Sequence, residues 1–326
     1  MRPFEYLEPG SLEEAVGLLA RPEYGSRPIA GGTDLLAEMK EGVVSPARLV
    51  GLSRVPGLRG MEVTADGVAI GTMTTLAEIA AHPTIVSRYE ALAQAAGTLA
   101  TLQIRNMGTL GGNLCQRPRC WYYRHPSVPC LKKGGDRCYA LAGSSKYLCI
   151  LGGDRCYIVH PSDTAVALAA LGASVEVHGP GGARWMPVEE LFAGPSADVT
   201  RENVLGDGEL VTCVRLPEPE AGARSVYLKA REREAGDFAL ASVAAAVRPL
   251  GSTVAAASVV LGGVAPVPYR ARRAEEYLEG RPVAEVDGAV AGRLAVEGAT
   301  PMKDNAYKVL LAANLVKRAV ARLLDS

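Results

Sequence analysis

Between Cys115 and Cys156 the chain gathers six of its seven cysteines into a stretch with neither a helical nor an alternating apolar period. Pro118, Pro126, Pro129, Gly134, Gly135, Gly152 and Gly153 interrupt it throughout. A structureless segment of this length does not persist inside a compact domain unless something pins it. Thiolates gathered on one metal centre supply such a pin. The N-terminus, Met1 to Glu8, has no apolar leader, and no run reaches the roughly 18 apolar residues of a membrane span. The chain therefore reads as cytoplasmic, where clustered cysteines are metal ligands rather than disulfides.

Among these cysteines, Cys120, Cys138 and Cys156 each follow an arginine, two of them in the repeated phrase Gly-Asp-Arg-Cys, and Cys130 follows Pro129. Cys149 lies in the apolar run Tyr147 to Leu151 and reads as a core residue, as does the isolated Cys213. Cys115 adjoins a glycine-dense segment and packs there, and His125 reads as solvent-facing. The ligand set is then Cys120, Cys130, Cys138 and Cys156. Its spacing differs from the close cysteine pairs of zinc ribbons and knuckles, and leaves both a [4Fe-4S] cluster and zinc open. Eight cations against two acids within 116–156 suggest a cationic sleeve that lowers thiol pKa values.

Two glycine motifs flank the problem. Pro28-Ile29-Ala30 reads as a strand, Gly31-Gly32-Thr33-Asp34 as a turn and Leu35 to Lys40 as a helix, a geometry that offers unpaired N–H groups to a phosphate. Arg105 to Leu114, with Gly108, Gly111 and Gly112, reads as a loop with repeated positive φ. Neither a G-x-G-x-x-G fingerprint nor a phosphate loop ending in G-K-[ST] is present.

The remaining pattern is mixed. Helices are expected over 12–20, from Thr75 to Pro83, over 88–101 and over 163–171. Strands are expected over 48–52, 61–64, 68–71, 174–178, 184–188 and 209–216. Beyond about 220, strands at 225–231, 239–248 and 253–262 precede helices at 270–279, 286–298 and 304–324, which predicts an antiparallel sheet with helices on one face. A chain of 326 residues suits two or three modules, and its zero net charge gives no field to recruit nucleic acid.

Ala30 to Leu35, Gly108 to Leu114 and Lys229 to Ala239 together resemble the FAD-binding medium subunit of the molybdenum hydroxylases, the family of xanthine dehydrogenase and aldehyde oxidoreductase. The resemblance implies an α+β chain. Residues 1–220 form a two-subdomain FAD-binding fold of the vanillyl-alcohol-oxidase (PCMH) type, divided near 55, and 221–326 a C-terminal α+β domain. It implies FAD contacts from Ile29, Ala30, Gly31, Gly32, Thr33, Asp34 and Leu35, and from Thr109, Gly111, Gly112 and Asn113. Asp163 would meet sugar-like hydroxyls, with Val211 and Lys229 near the adenine end. The insert 116–156 is similar to that of 4-hydroxybenzoyl-CoA reductase and of periplasmic-type aldehyde oxidoreductases, where a [4Fe-4S] cluster sits on the positions of Cys120, Cys130, Cys138 and Cys156. Implied partners are a large molybdopterin subunit, a small [2Fe-2S] subunit and an external electron acceptor or donor, with no catalytic acid or base on this chain. Alternatives from the residues are a zinc-bearing binding module without catalysis and a free-standing flavin reductase. The insert reads as a detachable loop, whose exchange for a short linker is expected to leave FAD bound.

Overall fold

Residues 1–325 are described by a computed structural model. Three sheets organise it. The first is parallel, with Arg48–Gly51 between Glu5–Leu7 and Ser26–Ile29. Its covering helix, Leu12–Leu19, is capped by the Ser11 hydroxyl, which accepts the Glu14 N–H, and buries Ala15, Val16 and Leu19 against Val50 and Leu52. The second sheet is antiparallel, in the order Met61–Thr64, Gly67–Gly71, Leu210–Pro217, Ser174–Gly179, Gly182–Pro187.

Thr75 and Glu78 form a reciprocal capping box that starts Leu76–Ala81. That helix stops just before Pro83 as expected, with His82 extended, and the proline then occupies the first turn of a separate helix, Pro83–Arg88, where its missing N–H costs nothing. The alanine-rich helix is shorter than its pattern, Glu90–Gly97. The segment expected to be a glycine loop instead folds as two short helices, Leu102–Met107 and Leu110–Leu114.

The third sheet, Tyr269–Arg270, Thr253–Gly262, Ala241–Leu250 and Arg224–Ala230, is antiparallel as expected. Its alternating residues face two cores. Val243, Ala245, Val247, Val259 and Leu261 meet the helices Arg272–Leu278, Gly288–Ala295 and Tyr307–Leu324. Tyr227, Ala244 and Val260 join a second core with Glu90–Gly97 and Asp163–Ala170. The sheet is thus a middle layer, covered on the other face by helices from earlier in the chain.

The insert is not a detachable loop. Ile150 and Leu151 are buried in the core of the C-terminal helices, and both N–H groups donate to the Val264 carbonyl. Residues ahead of and within Tyr307–Leu324 grip the same segment. Asp304 accepts the Ser145 N–H at 3.0 Å, and the Asn305 amide donates to the Leu148 and Cys149 carbonyls at 3.1 and 3.0 Å. The Lys308 ammonium donates to Tyr147 and Gly263 carbonyls at 3.1 and 2.8 Å. The sequence pattern missed this because the backbone groups of Ser145, Tyr147, Leu148 and Cys149 meet polar side chains more than 150 residues away.

Lys308 is fully buried, and burial pulls its amine down to about 7. Between about pH 7 and the ordinary lysine value of 10.5 the unfolded chain carries a proton there that the folded chain does not, so stability rises with pH across that window. Lys308→Met is expected to remove this slope, measured as the melting temperature from pH 6.5 to 10. An unchanged slope would count against a neutral buried amine.

Candidate functional site: the paired glycine segments and the cysteine cavity

Ile29 ends its strand and Leu35 opens the helix Leu35–Glu41, so Ala30 to Asp34 turn between them. Gly32 takes φ +70°, which glycine adopts without strain. Gly31 has a different reason: a Cβ there would lie 1.8 Å from the Met107 carbonyl oxygen. Among the described residues, no acceptor on the chain meets the N–H groups of Gly31, Gly32, Thr33 and Asp34. Four adjacent free donors suit an anionic group.

The second segment is built otherwise. Thr109 caps Leu110–Leu114 and accepts the Gly112 N–H at 3.2 Å, while Leu110 and Gly111 donate to the carbonyls of Thr74 and Thr72. Its first-turn donors are therefore consumed within the chain. Gly108, Gly111 and Gly112 do not take positive φ, contrary to the expectation of repeated left-handed backbone. Close approach explains Gly111 instead, since a Cβ there would lie 2.8 Å from the Thr72 Cβ. The Asn113 side-chain oxygen accepts the hydroxyls of Ser162 and Thr164, each at 2.6 Å.

Asp163, expected to meet sugar-like hydroxyls, and Lys229, expected near the adenine end, pair with each other at 2.7 Å, and Tyr227 donates its hydroxyl to the same carboxylate at 2.6 Å. All three are buried, and burial first, then Asp163, raises the Tyr227 phenol far above its ordinary range. Tyr227 was missed, although its spacing of two from Lys229 on one strand places both on one face. Val211 is buried in Leu210–Pro217, and its carbonyl accepts the Thr72 hydroxyl at 2.7 Å, which ties it to the second glycine segment.

Beside Asp163 opens a cavity of about 350 Å³, lined among others by Arg119, Cys120, Trp121, His160 and Phe238. The Arg119 guanidinium lies over the Phe238 ring, 4.6 Å from its centroid. His160 was not assigned a role from sequence. Burial, then Arg119 and Lys132, drives its imidazole down to about 3, so it stays neutral. Its Nδ1 accepts the Ser162 N–H at 3.4 Å, and its buried Nε2 lacks a partner among the described residues. An orphaned imidazole nitrogen and a cradle where a Cβ finds no room both fit a bound cofactor.

Cys120, Cys130, Cys138 and Cys156 line one second, smaller cavity, together with Lys132, Tyr122 and Tyr139. Among the described residues no three His, Cys, Asp or Glu side chains gather as a site for a metal ion. A hydrogen bond from Cys156 pulls the Cys138 thiol down to about 6, and the same bond raises Cys156. Burial pushes Cys120 up to about 11. The cationic sleeve does not set these values, because acids from outside the insert claim five of its eight cations. Arg117 and Lys132 pair with the buried Glu202, Arg119 and Arg124 with Asp34, and Lys146 with Glu232. Cys149 is buried in the core as expected, with its thiol at about 12, and Cys115 is pushed up equally by burial.

The profile of the FAD binding domain in molybdopterin dehydrogenase matches residues 2–219, and that of the CO dehydrogenase flavoprotein C-terminal domain matches residues 226–323. The aldehyde oxidoreductase FAD-binding subunit PaoB of Escherichia coli (strain K12) is 37% identical, covering 99% of this chain and 98% of its own length. The carbon monoxide dehydrogenase medium chain of Hydrogenophaga pseudoflava is 30% identical over 97% of this chain and 96% of its own. A chain in the crystal structure of cyanide-inactivated Cu,Mo-CO dehydrogenase superposes with a TM-score of 0.78 at 27% identity, covering 100% of this chain and 99% of its own. With both profiles matched in order and a free-donor glycine loop tied through Asp34 to Arg119 on the cavity wall, the chain belongs to the family of FAD-binding subunits of molybdopterin dehydrogenases.

Proposed function

We propose that this chain is the FAD-carrying electron-transfer subunit of a molybdenum hydroxylase-type oxidoreductase. It works with a large molybdopterin subunit and a small [2Fe-2S] subunit, and its flavin exchanges electrons with an external acceptor or donor. The observation that carries this reading is the row of free N–H groups at Gly31 to Asp34, a loop tied through the Asp34 carboxylate to Arg119 on the wall of the 350 Å³ cavity. Relatives named as FAD-binding subunit and medium chain match over nearly the whole length, which supports the same place in a complex. When bound, flavin links two-electron to one-electron steps. Gly31, Gly32, Thr33 and Asp34 donate backbone N–H groups to the pyrophosphate, with Ile29, Ala30 and Leu35 framing the loop. Thr109, Gly111, Gly112 and Asn113 form the wall against which that loop is wedged. Asp163, with two oxygens already accepting from Tyr227 and Lys229, keeps lone pairs for a sugar hydroxyl. Val211 backs the site through Thr72.

The finer reading adds a [4Fe-4S] cluster on Cys120, Cys130, Cys138 and Cys156. Its support is that these four, and none of the other three cysteines, line one cavity. We assign the FAD-binding domain to 1–220, with subdomains 1–55 and 56–220 and the insert 116–156, and the C-terminal domain to 221–326. A cytoplasmic site accords with seven free cysteines, and no helix among the described residues is long and apolar enough to cross a membrane.

Protein purified without oxygen is expected to show flavin absorbance with a broad brown shoulder, four irons per chain by metal analysis and an EPR signal on reduction. Stoichiometric zinc without iron would replace the cluster with a structural zinc site. A chain that never co-purifies with larger and smaller subunits would instead be a free-standing flavin reductase.

A further inference from the structure

Asp34 lies at the end of the glycine loop, yet the insert occupies both oxygens of its carboxylate. Oδ2 accepts the Arg117 N–H at 2.7 Å, and Oδ1 meets the guanidinium groups of Arg124 at 2.7 Å and Arg119 at 3.0 Å. The same arginines brace the turn that leads into Cys120. Arg124 donates to the Pro118 carbonyl at 2.8 Å and the Arg117 carbonyl at 3.2 Å, and Arg119 donates to the Arg117 carbonyl. Cys120 follows directly, its carbonyl accepting the Arg124 N–H at 2.9 Å. It lines both the large cavity and the cysteine cavity, and no other residue lines both.

We propose that Asp34 is a positioning residue that locks the phosphate-facing glycine loop to the Cys120 turn, so that FAD retention depends on the insert rather than on contact between the Asp34 carboxylate and the cofactor. This rests on the FAD reading above. Free N–H donors serve an anion only when their directions are fixed, and this loop lacks intraloop bonds from those donors to fix it. The carboxylate, 15% exposed and charge-paired twice, supplies the anchor from outside. The coupling runs both ways, since a tether that holds the loop for the flavin also holds Cys120 for the cysteine centre.

The test is a double-mutant cycle on the full chain, with FAD removed and titrated back. Asp34→Asn and Arg124→Met are each expected to weaken FAD on the order of tenfold, the loss of one charge-assisted contact. The double variant should be no weaker than the poorer single, because one tether has been cut twice. Glu41→Gln, which removes another Arg124 partner at 3.4 Å, should bind FAD as the wild type does. Asp34→Asn should also raise the midpoint potential of the cysteine centre, because it removes a negative charge beside Cys120, leaving Arg119 without its acid and Arg124 with Glu41 alone, and so favours the more negative reduced state. A merely structural role would not move that potential. If Arg124→Met misfolds by thermal melt, Arg119→Met tests the other guanidinium. Wild-type affinity in the arginine variants with loss in Asp34→Asn, or strictly additive losses, would overturn the proposal in favour of direct contact. A wild-type chain that takes up no FAD would sink the functional reading itself, and in an iron-free protein the FAD cycle decides alone.

Discussion

Replacing residues 116–156 by a short Gly/Ser linker is expected to destabilise the whole chain and release its flavin. The reading of the sequence alone pointed the other way. Loss of Ile150 and Leu151 from the C-terminal core removes about 1.5–3 kcal/mol each. Glu202 is 3% exposed and would lose both its cations, Arg117 and Lys132, and breaking a buried pair by removing one side costs roughly 3–5 kcal/mol. Asn305 and Lys308 would be left with buried donors facing emptied space. Together these reach on the order of 10 kcal/mol, comparable to the entire stability of a typical domain. The measurements are the melting temperature and the FAD-to-protein ratio after gel filtration. A linker variant that melts with the wild type and keeps one FAD per chain would show that the insert is a passenger after all.

Gly31→Val should have the second-largest effect. Even the first carbon of any side chain at 31 would stand 1.8 Å from the Met107 oxygen and 2.7 Å from its carbonyl carbon, both backbone atoms. Either the donor loop or the Leu102–Met107 helix must move. Overpacking of this kind costs about 1–3 kcal/mol, and since the displaced atoms are the free N–H donors, FAD affinity should fall on the order of 100-fold. Gly112→Val is the graded comparison. Its Cβ would sit 3.1 Å from the Thr109 Oγ1, so the change strains one helix cap, worth about 1 kcal/mol, and spares the donor row. Fluorescence titration of FAD into both apoproteins gives the ranking. Equal losses in the two variants would mean that the second glycine segment also touches the cofactor.

The contrast between the two glycine segments shows where sequence reading reached its limit. Both look alike as strings of glycine with a flanking threonine, and the family resemblance implies FAD contacts from both. Whether an N–H is free depends on what lies opposite it, and for Gly111 that is the Thr72 carbonyl, 39 positions earlier. Likewise the resemblance implies a cofactor contact at Asp34 through its place in the Gly31-Gly32-Thr33-Asp34 turn; its carboxylate's partners in space are Arg117, Arg119 and Arg124.

What was legible in the sequence is local: caps such as Ser11 and Thr75, the alternation that builds the C-terminal sheet and the α+β order are set by a residue and its neighbours within a few positions. Only the tertiary structure decided that the sheet is covered on both faces, that the insert is clamped by Asn305 and Lys308, and that acids from elsewhere neutralise its cations. These depend on burial and on pairings across more than 80 positions. A buried charge or a blocked Cβ is costly only because of what surrounds it, and no local pattern records those surroundings.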